Sequence, residues 1–238
     1  MDWRLGFVSI KKPKLTVEPS TLWDYPSQHY GAKMQGRADY RGATPSYVIW
    51  NLLQRYTREN DLVVDPFCGS GTTLDVCADL GRKGRGFDLQ KIHPAVELAD
   101  ARALPLQNES VDFIFADPPY SDNLKYSDDD RCIGRLPAHE DAYFQALSDV
   151  LDEMYRVLKP RRYLGVYICD TYAKKRGFVP IGAILLMMMS ERFRLVDHIS
   201  VVRHNRQLKQ GNRRAEVIRS NTFMRGFNHL IIAKKEPR

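Results

Sequence analysis

The chain has 238 residues, of which 43% are hydrophobic and 27% are charged, a balance that suits one α/β domain with a polar surface. Its longest apolar stretch, residues 181–189, is about half of the ~18–20 residues that a membrane-spanning helix needs, so we expect no membrane partner. The formal net charge of +7 favours an anionic partner.

The four cysteines, at positions 68, 77, 132 and 169, indicate reduced thiols rather than a disulfide framework. No pair has the Cys-x-x-Cys spacing and no histidine cluster accompanies them, so we expect no zinc site or other metal centre. The N-terminus lacks the basic and then apolar pattern of a secretory signal. Together these features predict a cytoplasmic location.

Residues 1–43 contain several prolines and glycines and little periodicity, which predicts an irregular N-terminal arm. We expect residues 44–238 to form one domain with a basic insertion near residues 203–225. Four aromatic side chains of the arm either pack against the domain or stack on bases, and packing is favoured because aromatic rings bury large areas. They are Trp3, Trp23, Tyr25 and Tyr30.

The first part of the domain predicts strands that alternate with helices. The apolar run at 61–65 ends at a turn, as a buried parallel strand does, and residues 72–80 follow as a helix. A weaker strand is predicted at 85–88 and a clear one at 111–115.

The second part continues the alternation. Residues 138–159 have the strongest helical periodicity of the chain, and Pro160 ends that helix. Strands separated by helices predict a Rossmann-like, doubly wound, mostly parallel α/β sheet. The remaining predicted elements are a strand at 163–168, a helix at 179–190, and strands at 195–202 and 230–233.

A glycine-rich turn follows the first strand, in Asp65-Pro-Phe-Cys-Gly-Ser-Gly-Thr-Thr73. Gly69 and Gly71 permit a tight turn and let backbone N–H groups approach a ligand without a Cβ in the way. The turn lacks the Gly-Lys-Ser/Thr of a P-loop. Asp88, 19 residues after Gly69, can accept hydrogen bonds from ribose hydroxyls, an arrangement that suits a nucleotide-like cofactor and would also suit NAD.

A second motif, Asp117-Pro-Pro-Tyr120, follows the strand at 111–115 and begins 52 positions after Asp65. Both motifs start where a strand ends, so in a parallel sheet they face one crevice. The Asp117 carboxylate can accept hydrogen bonds from a planar amino group in line with a cofactor. The two motifs together predict methyl transfer from S-adenosylmethionine to the exocyclic nitrogen of a nucleobase.

Both motifs resemble those of the amino-methyltransferases that modify cytosine N4 or adenine N6. The glycine-rich turn is similar to their S-adenosylmethionine motif, and Asp117-Pro-Pro-Tyr120 to their catalytic motif. Ala43-Thr-Pro-Ser46 is similar to the segment that meets the methionine end of the cofactor, and Asp100-Ala-Arg-Ala-Leu-Pro105 resembles the one that meets its adenine. The resemblance covers about residues 44–120 and implies the seven-stranded sheet of class I methyltransferases.

The resemblance also implies the roles of particular residues in a transferase of the EC 2.1.1 type. Asp117 and the Pro118 carbonyl would bind the amino group, and Tyr120 would stack on a base turned out of its helix or loop. The implied catalytic residues are Asp117, Pro118, Pro119 and Tyr120. The implied contacts to S-adenosylmethionine are Thr44, Pro45, Asp65, Pro66, Phe67, Cys68, Gly69, Ser70, Gly71, Thr72, Thr73, Asp88, Asp100 and Ala101.

The substrate is less determined than the chemistry. We favour cytosine N4 in a structured RNA such as ribosomal RNA, because only residues 121–137 and 174–225 have room for base-reading insertions. The alternatives are a DNA cytosine-N4 or adenine-N6 modification methylase, an RNA guanine-N2 methyltransferase, and a non-catalytic RNA-binding assembly factor. Among DNA enzymes of the family, those acting on cytosine N4 often carry Ser where Asp117 stands, and those acting on adenine N6 often carry Asp. Methylation of a protein glutamine would favour Asn at this position.

The basic charge is concentrated at the C-terminal end, where residues 203–238 contain ten Lys or Arg against two Glu. Such a segment can supply phosphate contacts to nucleic acid. We expect a flexible basic loop at 204–214, with nucleic-acid contacts from Arg203, Arg206, Lys209, Arg213 and Arg214. The acidic loop at 121–131 is expected either to be solvated, with its acids paired to Arg131 and Arg135, or to act as a lid over the base.

Overall fold

The computed structural model describes residues 14–37, 39–40, 42–120, 126–173, 177–204 and 206–237. Its strands are β1 (Leu22–Trp23), β2 (Leu62–Asp65), β3 (Lys83–Asp88), β4 (Val96–Leu98), β5 (Val111–Ala116), β6 (Leu158–Ile168), β7 (Thr171–Ala173), β8 (Gly177–Val179), β9 (Arg194–Val202) and β10 (Phe227–Lys234). Its α-helices are α1 (Ser46–Tyr56), α2 (Thr72–Asp79), α3 (Asp141–Val157), α4 (Ile181–Ser190) and α5 (Gly211–Arg219). Two short 3₁₀ turns span Ile133–Arg135 and Arg206–Lys209.

Eight of these strands form one sheet in the order β1-β9-β10-β6-β5-β2-β3-β4, and β7 pairs with β8 in a separate hairpin. Strand β10 is antiparallel to both of its neighbours, and the other pairings in the large sheet are parallel. The predicted doubly wound, mostly parallel sheet is therefore confirmed. The sheet has eight strands rather than the predicted seven, and the additional strand is β1. The sequence did not predict β1 because two residues are too few to show a periodicity.

The sheet separates two apolar cores, and alternate residues of one strand enter opposite cores. On β10, Ile231 and Ala233 pack with helices α3 and α4, whereas Leu230 and Ile232 pack with helix α1. All four of these side chains are at most 1% exposed. The sheet is therefore covered on both faces, which leaves the ends of its strands as the place for a ligand.

Two sequence predictions about elements need correction, and several short strands were missed. The helix predicted to reach residue 159 ends at Val157, because Leu158 already pairs with Val111 of β5. Part of the predicted flexible loop at 204–214 is helical, since it contains a 3₁₀ turn and the start of α5. Strand β4 and the β7–β8 hairpin were not predicted, because their three-residue strands are too short for a pattern.

The described part of the N-terminal arm packs on the domain. Trp23 is 2% exposed and lies in β1 beside β9, and the ring of Tyr25 lies 5.0 Å from that of Tyr47. The Tyr30 hydroxyl donates to Asp79 of α2 at 2.8 Å. Packing is thus confirmed for these three aromatic residues, and Trp3 lies outside the described residues. The domain boundary at residue 43 stays a prediction.

Across the described ranges, none of the helices combines the length and the apolar character needed to cross a membrane.

Candidate active site

A cavity of about 960 Å³ opens at the carboxyl ends of the central strands. Among the described residues five aspartates line it, each at or just after the end of a strand: Asp65 ends β2, Asp88 ends β3, Asp100 follows β4, Asp117 follows β5, and Asp170 follows β6. They meet because neighbouring parallel strands direct their carboxyl ends to one edge of the sheet. The volume lies within the range of about 300–1,000 Å³ that small-molecule sites occupy.

The glycine-rich turn is the floor of this cavity, and its two glycines have left-handed backbones. The φ angles are +46° at Gly69 and +85° at Gly71, a region that other residues adopt at a cost. A Cβ atom on Gly69 would lie 2.7 Å from the Tyr40 hydroxyl, and one on Gly71 would lie 2.8 Å from the His93 ring. Glycine is therefore required both by the turn and by its close neighbours.

Asp65 stabilises the turn from inside. One carboxylate oxygen accepts the Phe67 N–H at 2.9 Å, and the other accepts the Thr73 hydroxyl at 2.5 Å. Burial raises the pKa of Asp65 to about 7, although these two hydrogen bonds oppose the shift. The carboxylate thus connects the end of β2 to the first turn of α2.

Asp88 holds the turn from the neighbouring strand. Its carboxylate accepts the Gly69 N–H at 2.9 Å and the Gln90 N–H at 3.1 Å. Burial raises the pKa of Asp88, and these backbone donors oppose that shift. Each carboxylate oxygen can accept a second hydrogen bond, so contact with ribose hydroxyls stays a prediction that this geometry permits.

Asp100 is already engaged with a neighbouring side chain. Its carboxylate forms a two-pronged ion pair with Arg102 at 2.7 and 2.9 Å, and Arg102 also donates to the Arg131 carbonyl at 2.9 Å. Ala101 beside it is 5% exposed and contributes an apolar part of the cavity wall. This wall suits the flat face of an adenine, while the Asp100 charge is balanced by Arg102.

The Asp117 carboxylate follows β5 and receives two hydroxyl donors. The Tyr120 hydroxyl donates to one oxygen at 2.6 Å, and the Thr44 hydroxyl donates to the other. Burial raises the pKa of Asp117 to about 7. The nearby Asp65 charge also raises this pKa, whereas the hydrogen bonds from Thr44 and Tyr120 oppose the rise. The acid form of Asp117 is therefore favoured more strongly than that of an exposed aspartate.

The two prolines differ in the partners of their carbonyl groups. The Pro119 carbonyl accepts the Tyr143 hydroxyl at 2.8 Å, which fixes the motif to helix α3. Over the described ranges, nothing donates to the Pro118 carbonyl. Both prolines line the cavity, so the Pro118 carbonyl remains an acceptor beside Asp117.

The predicted cofactor residues are largely gathered in this cavity. Those that line it are Thr44, Asp65, Pro66, Phe67, Cys68, Gly69, Ser70, Thr72, Thr73, Asp88, Asp100 and Ala101. Pro45 and Gly71 do not line it and instead cap the N-termini of α1 and α2. The Cys68 thiol packs against Gly86, and burial raises its pKa, so it is a neutral packing group. The four cysteines are free and buried.

The N-terminal arm covers the glycine-rich turn, a contact that the sequence did not indicate. Gly36 donates its N–H to Asp75 at 2.7 Å, and a Cβ on Gly36 would meet the hydroxyls of Ser70 and Thr72. Tyr40 lines the cavity above Gly69. No periodicity or motif marks these arm residues, because their role depends on contacts distant in sequence.

The predicted nucleic-acid residues are divided between two surfaces. Arg203 and Arg213 line the cavity itself, whereas Arg214 lines a separate hollow of about 450 Å³ beside α5. Lys209 is exposed, and the side chain of Arg206 lies outside the described part of the structure. Two of the five predicted nucleic-acid residues thus share the cavity with Asp117.

The cavity wall opposite the glycine-rich turn was also missed by the sequence analysis. It includes residues 169–172 after β6 and residues 223–225 before β10. The Arg203 guanidinium donates to the Cys169 sulfur at 3.0 Å. In this wall Asp170 accepts a hydrogen bond from the Gly182 N–H and pairs with His229 at 3.0 Å.

The acidic loop is described from residue 126 onward, and residues 121–125 lie outside the described residues. Asp129 pairs with Arg131 at 2.7 Å and Asp130 pairs with Arg135 at 3.1 Å, as the solvated interpretation predicted. Tyr126 and Ser127 line the cavity. Among the described side chains, no group of three or more His, Cys, Asp or Glu is arranged to hold a metal ion.

Comparison with known proteins gives a family match over most of the chain. Residues 9–96 and 111–236 match the model of the N6/N4 methyltransferase family, which is described as DNA methylase. The type II methyltransferase M.HpaI of Haemophilus parainfluenzae is 34% identical over 86 residues, which are 36% of this chain and 26% of that protein. The chain thus spans about a quarter of this curated relative.

Solved structures share the fold at low sequence identity. TrmN from Thermus thermophilus superposes with a TM-score of 0.54 at 20% identity, over 82% of this chain and 50% of that one. A SAM-dependent methyltransferase from Methanosarcina mazei gives 0.53 at 14% identity, over 79% and 98%. These likenesses support the Rossmann-like methyltransferase fold.

Proposed function

This chain belongs to the N6/N4 methyltransferase family of DNA methylases, and from that premise we propose that it transfers a methyl group from S-adenosylmethionine to the exocyclic amino nitrogen of a nucleobase. The observation that carries the proposal is the position of Asp117 in the same cavity as the glycine-rich turn. One cavity can therefore hold a cofactor and an amino group side by side.

The cofactor end of the cavity fits S-adenosylmethionine, which supplies an electrophilic methyl group when it is bound. The glycine-rich turn lines this end, and it requires glycine at position 69 because a Cβ atom there would collide with Tyr40. Asp88 retains acceptor capacity for ribose hydroxyls, and Ala101 contributes apolar wall for the adenine. Thr44 lies between this end and Asp117, to which it donates.

The amino-group end of the cavity offers two acceptors. Each Asp117 oxygen accepts one hydroxyl donor and has a further lone pair, and the Pro118 carbonyl lies beside it. An exocyclic amino group has two N–H bonds that can point to these acceptors. Holding both N–H bonds favours a more tetrahedral nitrogen with its lone pair free to attack, and preorganised acceptors of this kind lower the barrier.

The proton that the nitrogen must lose also has a place to go. Burial raises the pKa of Asp117 to about 7, so its carboxylate can take a proton at neutral pH more readily than an exposed aspartate can. Tyr120 holds that carboxylate through its hydroxyl and lines the cavity with its ring. We propose that the ring also stacks on the target base, as the sequence predicts.

The polymer and the base are finer parts of the proposal. The family's description as DNA methylase supports DNA, and Asp at position 117 then favours adenine N6. The second candidate is cytosine N4 in structured RNA. It is supported by the small number of described segments near the cavity that could read bases, namely 126–137, 171–173, 177–179, 203–204 and 206–226.

A parallel assay on both polymers tests the function. Purified protein is incubated with S-adenosylmethionine labelled on its methyl group, together with unmethylated genomic DNA or with total RNA. The products are digested to nucleosides and identified by mass spectrometry. We expect N6-methyladenine from DNA or N4-methylcytosine from RNA, with no product from Asp117→Ala. Methylation of neither polymer by the wild-type protein would contradict the proposal, and full activity of Asp117→Ala would contradict the mechanism.

A further inference from the structure

We propose that Phe223 inserts into the base stack of a helical nucleic acid, in the gap that the target nucleotide leaves when it turns into the cavity. The inference rests on the proposed function and names a residue of the same site. It assigns a specific role to the wall that precedes β10.

The first observation is the exposure of this side chain. Phe223 is 83% exposed, and of the large apolar side chains in the described residues it is the most exposed. A phenylalanine side chain is usually buried, because removing its apolar ring from water is favourable. An aromatic ring held in solvent at a cavity mouth is a feature of interaction sites rather than of stability.

The second observation is the place of Phe223 relative to the reacting groups. The side chain lines the mouth of the cavity that contains Asp117. The chain then enters β10, where the Asn228 side-chain nitrogen lies 3.5 Å from the Tyr120 hydroxyl. The ring therefore belongs to the same cavity as Asp117 and Tyr120.

The third observation is that the backbone around the ring is held while the ring is not. The Arg225 guanidinium donates to the Phe223 carbonyl at 2.5 Å and stacks 4.9 Å from the centre of the Phe178 ring. The Gly226 carbonyl accepts the Arg203 N–H at 2.9 Å. These contacts preorganise the segment, so little entropy is lost when the ring inserts.

The charge around the ring fits the same partner. Arg203, Arg213 and Arg225 line this side of the cavity, where they can contact the phosphates that flank a displaced nucleotide. The one carboxylate on this wall, Asp170, is already bonded to Gly182 and His229. The wall therefore combines an apolar wedge with cations, as proteins do that separate stacked bases.

A second copy of this chain is the competing occupant. The hollow next to α5 is partly apolar, and Ile218 at its edge is 74% exposed. Self-association would cover Ile218 and Phe223 together. The cationic surroundings favour nucleic acid, and the oligomeric state enters the test as an outcome.

The test uses an abasic site as the probe, because such a site already contains the gap. Fluorescein-labelled DNA duplexes, one with a single abasic site and one intact, are titrated with wild type, Phe223→Ala and the control Met187→Ala. Met187 is another exposed apolar residue, 65% exposed and on α4. The same pair is built as RNA. Wild type and Met187→Ala should bind the abasic duplex about tenfold more tightly than the intact one, and Phe223→Ala should lose that preference, since one stacked base contributes this order of affinity.

Methyl transfer to native and heat-denatured genomic DNA is the second readout. Phe223→Ala should lose more activity on the native duplex than on denatured DNA, because unstacked bases need no wedge. An abasic preference that survives in Phe223→Ala, or equal losses on both DNA forms, would overturn the inference. The inference would also be overturned if sedimentation showed that wild type is a dimer and that the only effect of Phe223→Ala is to convert it to a monomer. Absence of methyl transfer with the abasic preference intact would instead contradict the proposed function.

Discussion

The Tyr120 hydroxyl donates a hydrogen bond to the Asp117 carboxylate at 2.6 Å, across the two prolines between them. The bond turns a four-residue motif into a closed unit in which the ring and the carboxylate hold each other. The hydrogen bond also lowers the pKa of Asp117, which burial raises. Several measurable consequences depend on this pair.

The pH profile of methyl transfer should report the ionisation of Asp117. Burial raises its pKa to about 7, and only the carboxylate form can accept both an amino N–H and the proton. We expect kcat/KM to rise as the pH increases from about 6 to about 8, and Asp117→Asn to lower it by about 10²–10³-fold. A profile that is flat in this interval, measured at saturating cofactor, would exclude Asp117 as the controlling group.

Tyr120→Phe should move that profile without removing the ring. The hydroxyl donor lowers the pKa of Asp117, so its loss should raise that pKa and shift the rising part of the profile to higher pH. Tyr120→Ala should in addition weaken substrate binding, because the ring is lost. The check is kcat/KM against pH for the two variants, and an unshifted Tyr120→Phe profile would show that the bond does not tune Asp117.

The same burial should make Asp117 costly for stability at alkaline pH. The pKa of Asp117 is about 7 in the folded protein and 3.8 in the unfolded chain. Its contribution to the free energy of unfolding is therefore complete below pH 3.8 and is lost as the pH rises through about 7. We expect Asp117→Asn to raise Tm relative to wild type more at pH 8 than at pH 5. Asp197→Asn, at an exposed position on β9, is the control and should show no such difference. An Asp117→Asn effect that is equal at both pH values would contradict the argument.

The glycine-rich turn should tolerate no side chain at position 69. Gly69→Ala adds a Cβ that lies 2.7 Å from the Tyr40 hydroxyl and retains a left-handed backbone that costs alanine about 1–2 kcal/mol. Gly31→Ala has a similar φ of +62° with nothing within 4 Å of its Cβ, so it isolates the backbone cost. Calorimetry should show S-adenosylmethionine binding about tenfold or more weaker for Gly69→Ala than for Gly31→Ala. Equal affinities would mean that the cofactor does not approach this turn.

The cationic wall should contribute salt-dependent affinity. Arg213→Ala should weaken nucleic-acid binding and lower the slope of log affinity against log salt by about 0.9 for one phosphate on B-DNA. Lys83→Ala is the control, because Lys83 begins β3 at the end of the sheet away from the cavity. A slope change of the same size in Lys83→Ala would assign the effect to net charge rather than to position.

The sequence by itself determined the fold class and the strand ends that line the candidate site. Predicted strands alternate with predicted helices along the chain, which indicates a parallel sheet covered by helices on both faces. Parallel strands bring their carboxyl ends to one edge of the sheet. Asp65, Asp88 and Asp117 each stand at or just after the end of a predicted strand, so their convergence on one cavity could be predicted without coordinates. Local pattern was sufficient because each position is defined by its own strand.

Only the tertiary structure decided the contacts between distant segments. Thr44 donates to Asp117 from 73 positions away, and Tyr40 lies over Gly69, although neither contact has a sequence pattern. Helix α5 has no buried residue, so it lacks the apolar stripe that would distinguish it from a loop. Phe223 belongs to the same class, since only the folded chain shows that its ring is exposed beside the cavity. Such features depend on how separate elements pack, and that information is spread over the whole chain rather than held in any one segment.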